Sequence, residues 1–237
     1  MPELVLLNPK QYVAGLDLSG SYSQHALVLD ADAVQFTAFG DTTRTYKGGL
    51  VGAGSEHSGF WDDPVDSDLF TNLAAAARNT TLSPDGGDEG DVAFFFSSIG
   101  TKYEPGAAIG DAFSFSNSNQ VTGIVTRGLI FQTGVETATG NGTAFNLGTV
   151  DTGKKLRASL HVLSASAADT LDVIVASDSQ QAFGGTPETR ITFPQRSAIG
   201  GELLTVDGPH ADTWYRVQYT IAGTDPSFTF AVAVGIA

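Results

Sequence analysis

Apolar and polar residues alternate one for one along most of this chain, a period that places every second side chain on one face of an extended strand. In residues 24–30, His25, Leu27 and Leu29 fall on one side and Ala26 and Val28 on the other; Val34 and Phe36 resume the pattern after a break at Asp30 to Asp32. This reads as a strand pair or one kinked strand. Further runs occupy 56–61, 91–97, 111–116, 121–132, 156–163, 171–176, 189–193, 213–221 and 227–235. About ten strands with one apolar face each need a second layer to bury it, so the fold class is mainly β, an antiparallel β-sandwich or barrel. Glycine supplies 28 of the 237 residues, spread with Ser, Thr and Asn between the runs. That is turn chemistry between short strands, not a disordered linker.

One segment departs from the two-residue period. Asp63-Pro64 precedes VDSDLFTNLAAAARN, which gives a capping candidate, a proline at the first helical position and acids in the first turn. Leu69, Phe70, Leu73 and Ala77 then share one face. The spacing predicts a single flanking helix over about 64–78, stopped by Asn79, Pro84 and the glycines of NTTLSPDGG. No repeat of 20 to 50 residues is visible, which argues against solenoids and propellers. A composition seam near 138–154 does not split the chain, because strand patterns resume at once, and 1–237 reads as a single domain.

Charge and composition exclude several functions. Twelve Lys and Arg stand against 26 Asp and Glu, a formal charge of −14, whereas gripping phosphates needs a basic face. With no cysteine in the chain, disulfides, thiolate metal sites and cysteine nucleophiles are out. The opening MPELVLLNPK has no basic stretch before its short apolar run, so it reads as neither a secretory signal nor an anchor. No apolar stretch approaches the length of a membrane span.

The search for chemistry returns no catalytic set, no metal site and no cofactor. His25, His57, His161 and His210 are scattered without metal-ligand spacing, and His25 and His161 lie inside strand patterns, where a hydrogen-bonded structural role is expected. The acidic run Asp85 to Asp91 does not match a calcium-loop spacing. Gly52-Ala-Gly54 is a lone GxG, and neither G-K-[ST] nor G-x-S-x-G occurs. Acid pairs such as Asp62 with Asp63 suit a helix dipole. The sequons at Asn79 and Asn141 lack a secretory context. Trp61 and the pair Trp214-Tyr215 could stack on sugar rings, with core packing as the plainer reading.

Three stretches, taken in order, resemble the N-terminal half of the tail tube (major tail) proteins of long-tailed bacteriophages: Gly15-Leu-Asp17-Leu-Ser-Gly20, then Phe39-Gly40-Asp41-Thr42-Thr43-Arg44, then Gly48-Gly49-Leu50 with Ser58-Gly59-Phe60-Trp61-Asp62. The C-terminal half, with Leu156–Val162, Leu171–Val175, Thr189–Phe193, Asp212–Arg216 and Ser227–Phe230, is similar to such tail proteins as well.

The resemblance implies a non-enzymatic virion protein, assembled in the host cytoplasm. Six copies would form a ring, and stacked rings a tube that conducts DNA during ejection. Its partners would be further copies of itself, tail terminator, tape measure and distal tail proteins, and DNA passing without sticking; no membrane is involved. Phe39, Gly40, Asp41, Thr42, Arg44, Gly49 and Leu50 would then form a mobile loop ordered by the next ring. Phe60 and Trp61 are expected to anchor the N-terminal strands against Leu69, Phe70 and Leu73 of the helix. Asp17 and Asp30 are candidate lumen acids, because a wall with the sign of the phosphates repels them. A capsid decoration protein or a receptor- or carbohydrate-binding sandwich is the competing assignment.

Overall fold

The computed structural model describes residues 8–40 and 42–237. Strands β1 (Lys10–Val13) and β2 (Leu16–Asp17) are followed by two long strands, β3 (Tyr22–Gln35) and β4 (Tyr46–Phe60), and by the helix α1 (Asp63–Thr71). Next come β5 (Arg78–Ser83), β6 (Val92–Gly106), β7 (Ser114–Glu136) and the short β8 (Gly140–Asn141) and β9 (Phe145–Asn146). The C-terminal third holds β10 (Lys155–Ala165), β11 (Thr170–Asp178), β12 (Glu188–Thr192), β13 (Gly200–Asp207), β14 (Trp214–Ala222) and β15 (Phe228–Ile236). Backbone contacts group these into two compact units. One holds the residues up to Gly20, Ala77–Ser97 and Gly123–Ala237; the other holds Ser21–Ala76 and Ser98–Thr122. Strands β6 and β7 contribute to both, and the compositional seam at 138–154 lies inside the first.

The first unit is an antiparallel sandwich. One sheet runs in the order β13-β10-β15-β7-β6-β5-β1-β2, the other in the order β12-β11-β14 with β8 and β9 on the far side of β14, and neither closes into a barrel among the described residues. Alternation decides what goes between them. Leu156, Ala158, Leu160 and Val162 of β10 and Phe228, Phe230 and Val232 of β15 meet Val173 and Val175 of β11 and Val217 of β14 in one fully buried cluster. The residues between them face the other way, where Ala233 packs with Ala93, Phe95 and Ile130.

That second face of β10 is polar. Ser159 and His161 are buried there against Asn79 and Thr81 of β5. The Gly15 N–H donates to His161 Nδ1 at 3.3 Å, so the neutral ring carries its proton on Nε2, which lies 2.9 Å from Thr81 Oγ1 and 3.1 Å from Ser159 Oγ. Burial, reinforced by the Arg78 cation, pushes the ring's pKa down to about 3. Asn79 Nδ2 donates to Leu160 O and Ser159 Oγ, so this sequon is sealed inside the fold.

The second unit is an open antiparallel sheet in which β3 pairs β4 and β4 pairs the first half of β7, with β6 beside β7. The β3–β4 register runs from Tyr22↔Gly59 to Gln35↔Tyr46 and slips twice, between Tyr22 and Gln24 and between Ala31 and Ala33. Glycine at 59 is dictated by space, since a Cβ there would lie 1.9 Å from Ser21 O. The break expected at Asp30 to Asp32 is thus one kinked strand.

Several strand expectations change. The runs at 111–116 and 121–132 join in β7, the run at 56–61 is the end of a strand that begins at Tyr46, and β1, β2, β5, β8, β9 and β13 have no counterpart among the runs read from sequence. β5 lies in NTTLS, expected as the helix stop, and pairs β1 from Lys10↔Ser83 to Val13↔Thr80. The helix is correspondingly shorter than 64–78. Its N-cap is Asp62, Pro64 sits in the first turn, and Asn72 caps the other end, its Nδ2 donating to Asp68 O at 2.9 Å. Ala74 then takes φ 58° and donates its N–H to Gly100 O. A run of alanines favours helix locally but offers little to bury, so the backbone bonds to β6 prevail.

Candidate assembly surface

The β3–β4–β7–β6 sheet has two unlike faces. Pairing puts Tyr22, His25 and Leu27 beside Gly59, His57 and Ser55, and these beside Phe115, Asn117 and Asn119. The Tyr22 ring meets His25, His57 and Phe115 at centroid distances of 5.1, 5.1 and 5.5 Å. The helix covers this side: Tyr103 of β6 packs on Phe115 and donates to Asp66 Oδ1 at 2.5 Å. His25 and His57 stand opposite each other with their Nδ1 atoms 3.1 Å apart, so one ring donates to the other. Burial and the neighbouring ring push His57 down to about 3, and burial lowers His25.

The other face is bare and hydrophilic. Gln24, Ala26, Val28 and Asp30 of β3, Gly52, Gly54, Glu56 and Ser58 of β4 and Ser116 and Ser118 of β7 line two shallow hollows of about 260 and 300 Å³. Its carboxylates are Asp30, Glu56 and Glu104. Lys102, beside the hollows, pairs with Glu104 at 2.8 Å and holds that carboxyl below the usual carboxylate range. A duplex phosphate facing this surface meets net negative charge.

Beyond the point where β7 stops pairing, the β3–β4 hairpin is a two-stranded ribbon exposed on both sides. It holds eight large apolar side chains in solvent, Val28, Leu29, Val34, Phe36, Phe39, Tyr46, Leu50 and Val51, where a hairpin alone is at best marginally stable in water. Bonds close the base of its loop: Phe36 N–H donates to Thr45 O, Gln35 Nε2 to Thr37 Oγ1, and Lys47 Nζ lies 5.1 Å above the Phe36 ring.

The structure sorts the residues expected from sequence. Phe39, Gly40, Thr42, Arg44, Gly49 and Leu50 all lie exposed on this hairpin, while Asp41 falls outside the described residues. The expected loop is shorter than Phe39 to Leu50, because Tyr46–Leu50 already belongs to β4; pairing across the hairpin extends strand order toward its tip. The core-anchor expectation is corrected. Phe60 is 61% exposed, Trp61 38%, Phe70 72% and Leu73 41%, and Leu69 is half-buried; Val65 is the buried residue of the helix. The reason is the shortened helix: its packing runs through Val65 and the Asp66–Tyr103 bond, not the 69–73 stripe. Trp61 instead stacks on Phe113 at 5.8 Å. Tyr215, by contrast, is fully buried and donates to Asp212 O. Asp30 lies on the bare face; Asp17, in the first unit, is exposed and accepts from Ser19 N–H. Glu56, Lys102 and Glu104 were missed, although the alternation that shares out Asp30 also places Glu56.

The acidic loop at 85–91 closes on itself, with Asp88 N–H donating to Asp91 Oδ2 and Asp91 N–H to Asp88 O. Among the described residues no three His, Asp or Glu side chains gather as metal ligands, and no helix is long and apolar enough to cross a membrane.

No protein-family profile and no curated protein matches the chain. Solved structures are similar to part of it, three of them as follows. The virion of a native gene transfer agent particle aligns at 14% identity and TM-score 0.40, covering 49% of this chain and 94% of that one. The tail of an empty gene transfer agent particle with C6 symmetry aligns at 14% and 0.40, covering 51% and 93%. The SPP1 tail tube aligns at 16% and 0.42, covering 51% and 76%.

Proposed function

We propose that this chain is a structural subunit that assembles with copies of itself into rings stacked as a phage tail tube, without catalysing a reaction. The observation that carries the reading is the β3–β4 hairpin, whose apolar side chains have no cover among the described residues. Contiguous exposed apolar surface of this kind marks an interaction site, and the FGDTTR and GFWD stretches that resemble tail tube proteins lie at its tip and its base.

The sheet of the second unit is suited to a ring wall. It offers four antiparallel strands and, among the described residues, a free edge along β3, with the β6 edge partly taken by the Leu73–Gly100 bridge; an edge as long as β3 is stable in a cell when a neighbour pairs with it. Six copies would give a barrel of roughly 24 strands; at ~4.8 Å spacing and ~40° tilt its backbone diameter is about 48 Å, wide enough for a duplex. The helix-covered face would look outward, and the bare face, with Asp30, Glu56 and Glu104, inward. DNA then slides along a wall it does not bind. Tail terminator, tape measure and distal tail proteins are the further partners this role requires.

Electron microscopy of the purified protein tests the reading: stacked rings or tubes are expected. Particles that stay monomeric across salt and concentration would refute it, and monomers that bind glycans or capsids would move the exposed Trp61–Phe113 pair into a recognition role. Assembled tubes should also fail to retard duplex DNA in a gel at physiological salt.

A further inference from the structure

His25 and His57 face each other across β3 and β4, with their Nδ1 atoms 3.1 Å apart. One shared proton accounts for that spacing, and so does one metal ion. With bonds of about 2.05 Å to each Nδ1, an ion between the rings makes an N–metal–N angle of roughly 98°, between the square and tetrahedral values. The rings are held in place from one side: Tyr22 packs edge-on against His25 and tilted against His57, and Phe115 backs Tyr22. His57 is 3% exposed, whereas His25 is half-buried on the strand that has no outer neighbour among the described residues, which leaves a way in. The next strand supplies a second observation. Asn117 of β7 pairs with His57 and is as deeply buried, and its Oδ1 has no hydrogen-bond partner. An acceptor sealed from water without a donor is unfavourable, and a water carried by an ion beside His57 supplies that donor.

We infer that His25 and His57 form a binding site for one divalent transition-metal ion, held by the two Nδ1 atoms, with water in its remaining positions and Asn117 Oδ1 accepting from one of those waters. Neutral imidazole suits Zn²⁺, Cu²⁺ or Ni²⁺, whereas Ca²⁺ and Mg²⁺ want oxygen ligands. Binding needs no net loss of a proton: the ring that donates from Nδ1 in the empty pair carries its hydrogen on Nε2 once the ion is bound. The ion ties β3, the strand with the free edge, to β4 through side chains. The site lies wholly within the second unit and is independent of the tube reading. Sequence spacing could not reveal it, because the two ligands are 32 residues apart and meet only through strand register.

The test titrates the metal-free full chain with ZnCl2 by calorimetry. One Zn²⁺ per chain is expected. His25→Gln, the half-buried partner being chosen because replacing His57 endangers the fold, should weaken binding about a hundredfold or more, and Asn117→Ala about tenfold, as for residues that orient a metal's ligands. His210→Gln should leave the affinity unchanged. A measurement on the unsubstituted chain makes the result independent of any variant's folding: with ¹⁵N-labelled histidine, Zn²⁺ should shift the Nδ1 resonances of two of the four rings and leave the other two. No Zn²⁺ binding, binding undiminished in His25→Gln, or shifts at His161 and His210 in place of the pair would each overturn the site. Tube formation is scored on separate micrographs and bears on the assembly reading alone.

Discussion

The sandwich of the first unit and the sheet of the second are built from the same alternating strands, yet they place their large side chains differently. In the sandwich, Leu160, Phe228 and Phe230 are wholly buried, because a second sheet lies over them. In the hairpin, Phe39 and Leu50 are exposed, because no element among the described residues comes back to cover them. Alternation therefore reports that a face wants cover and is silent on whether the cover is the same chain or another. The first unit encloses its apolar residues; the second leaves them in solvent, open to the association proposed above.

Substitutions can break this contrast. The largest effect belongs to the sandwich: Leu160→Ala should destabilise the protein by about 2–5 kcal/mol, since it leaves a cavity in a closed core, and the thermal midpoint should fall accordingly. Leu50→Ala should move that midpoint little, within about 0.5 kcal/mol as for surface positions, while abolishing tubes on micrographs. Equal losses of stability from the two would erase the distinction.

Acid comes next. His57 and His161 each have a folded pKa near 3 against an unfolded value of about 6.5, so below that value the unfolded chain binds more protons. Their contribution is fully present above pH 6.5 and is lost as pH falls toward 3, at up to roughly 1.4 kcal/mol per pH unit for each ring. Denaturant midpoints measured from pH 7 to pH 4 should show this slope, and His161→Gln should flatten it. A profile unchanged by that substitution would place the acid sensitivity elsewhere.

Trp61→Ala is a smaller perturbation, about 1 kcal/mol, since the ring is partly in solvent and a few apolar contacts are lost; calorimetry showing a loss above about 3 kcal/mol would return Trp61 to a core role. The smallest change is Lys102→Gln. An exposed ion pair contributes about 0–1 kcal/mol, so stability should hold while the bare face becomes more negative, and any gain in DNA retardation would contradict its assignment as a lumen wall.

The sequence made the sandwich legible because strands with one buried face repeat a two-residue period, and β10, β11, β14 and β15 lie close to where that period puts them. It failed where burial is two-sided or backbone bonds decide. β5 is buried along most of its length with polar side chains, Asn79, Thr80, Thr81 and Ser83, because its partners are His161 and Ser159; no hydropathy signal marks such a strand. The helix was misjudged for a related reason, since Ala74–Ala77 favour helix but bury almost nothing. For the candidate assembly surface, the exposed residues of the FGDTTR loop were reached through the resemblance to tail tube proteins. Which face of β4 is bare was not, because parity groups residues without saying where the helix lies.

The two register slips along β3 also bear on life before assembly. An even, flat edge pairs with almost any extended peptide, whereas β3 carries a surplus residue at Ser23 and is kinked opposite a surplus in β4 at Gly49–Leu50, so it matches few partners along its full length. A cell filling with newly made subunits presents this edge at high concentration among many unfolded chains. In the assembly proposed above, the slips would act as a kinetic filter: a foreign strand that starts to pair loses step within a few residues and dissociates, while a partner matched to the offset goes on to completion.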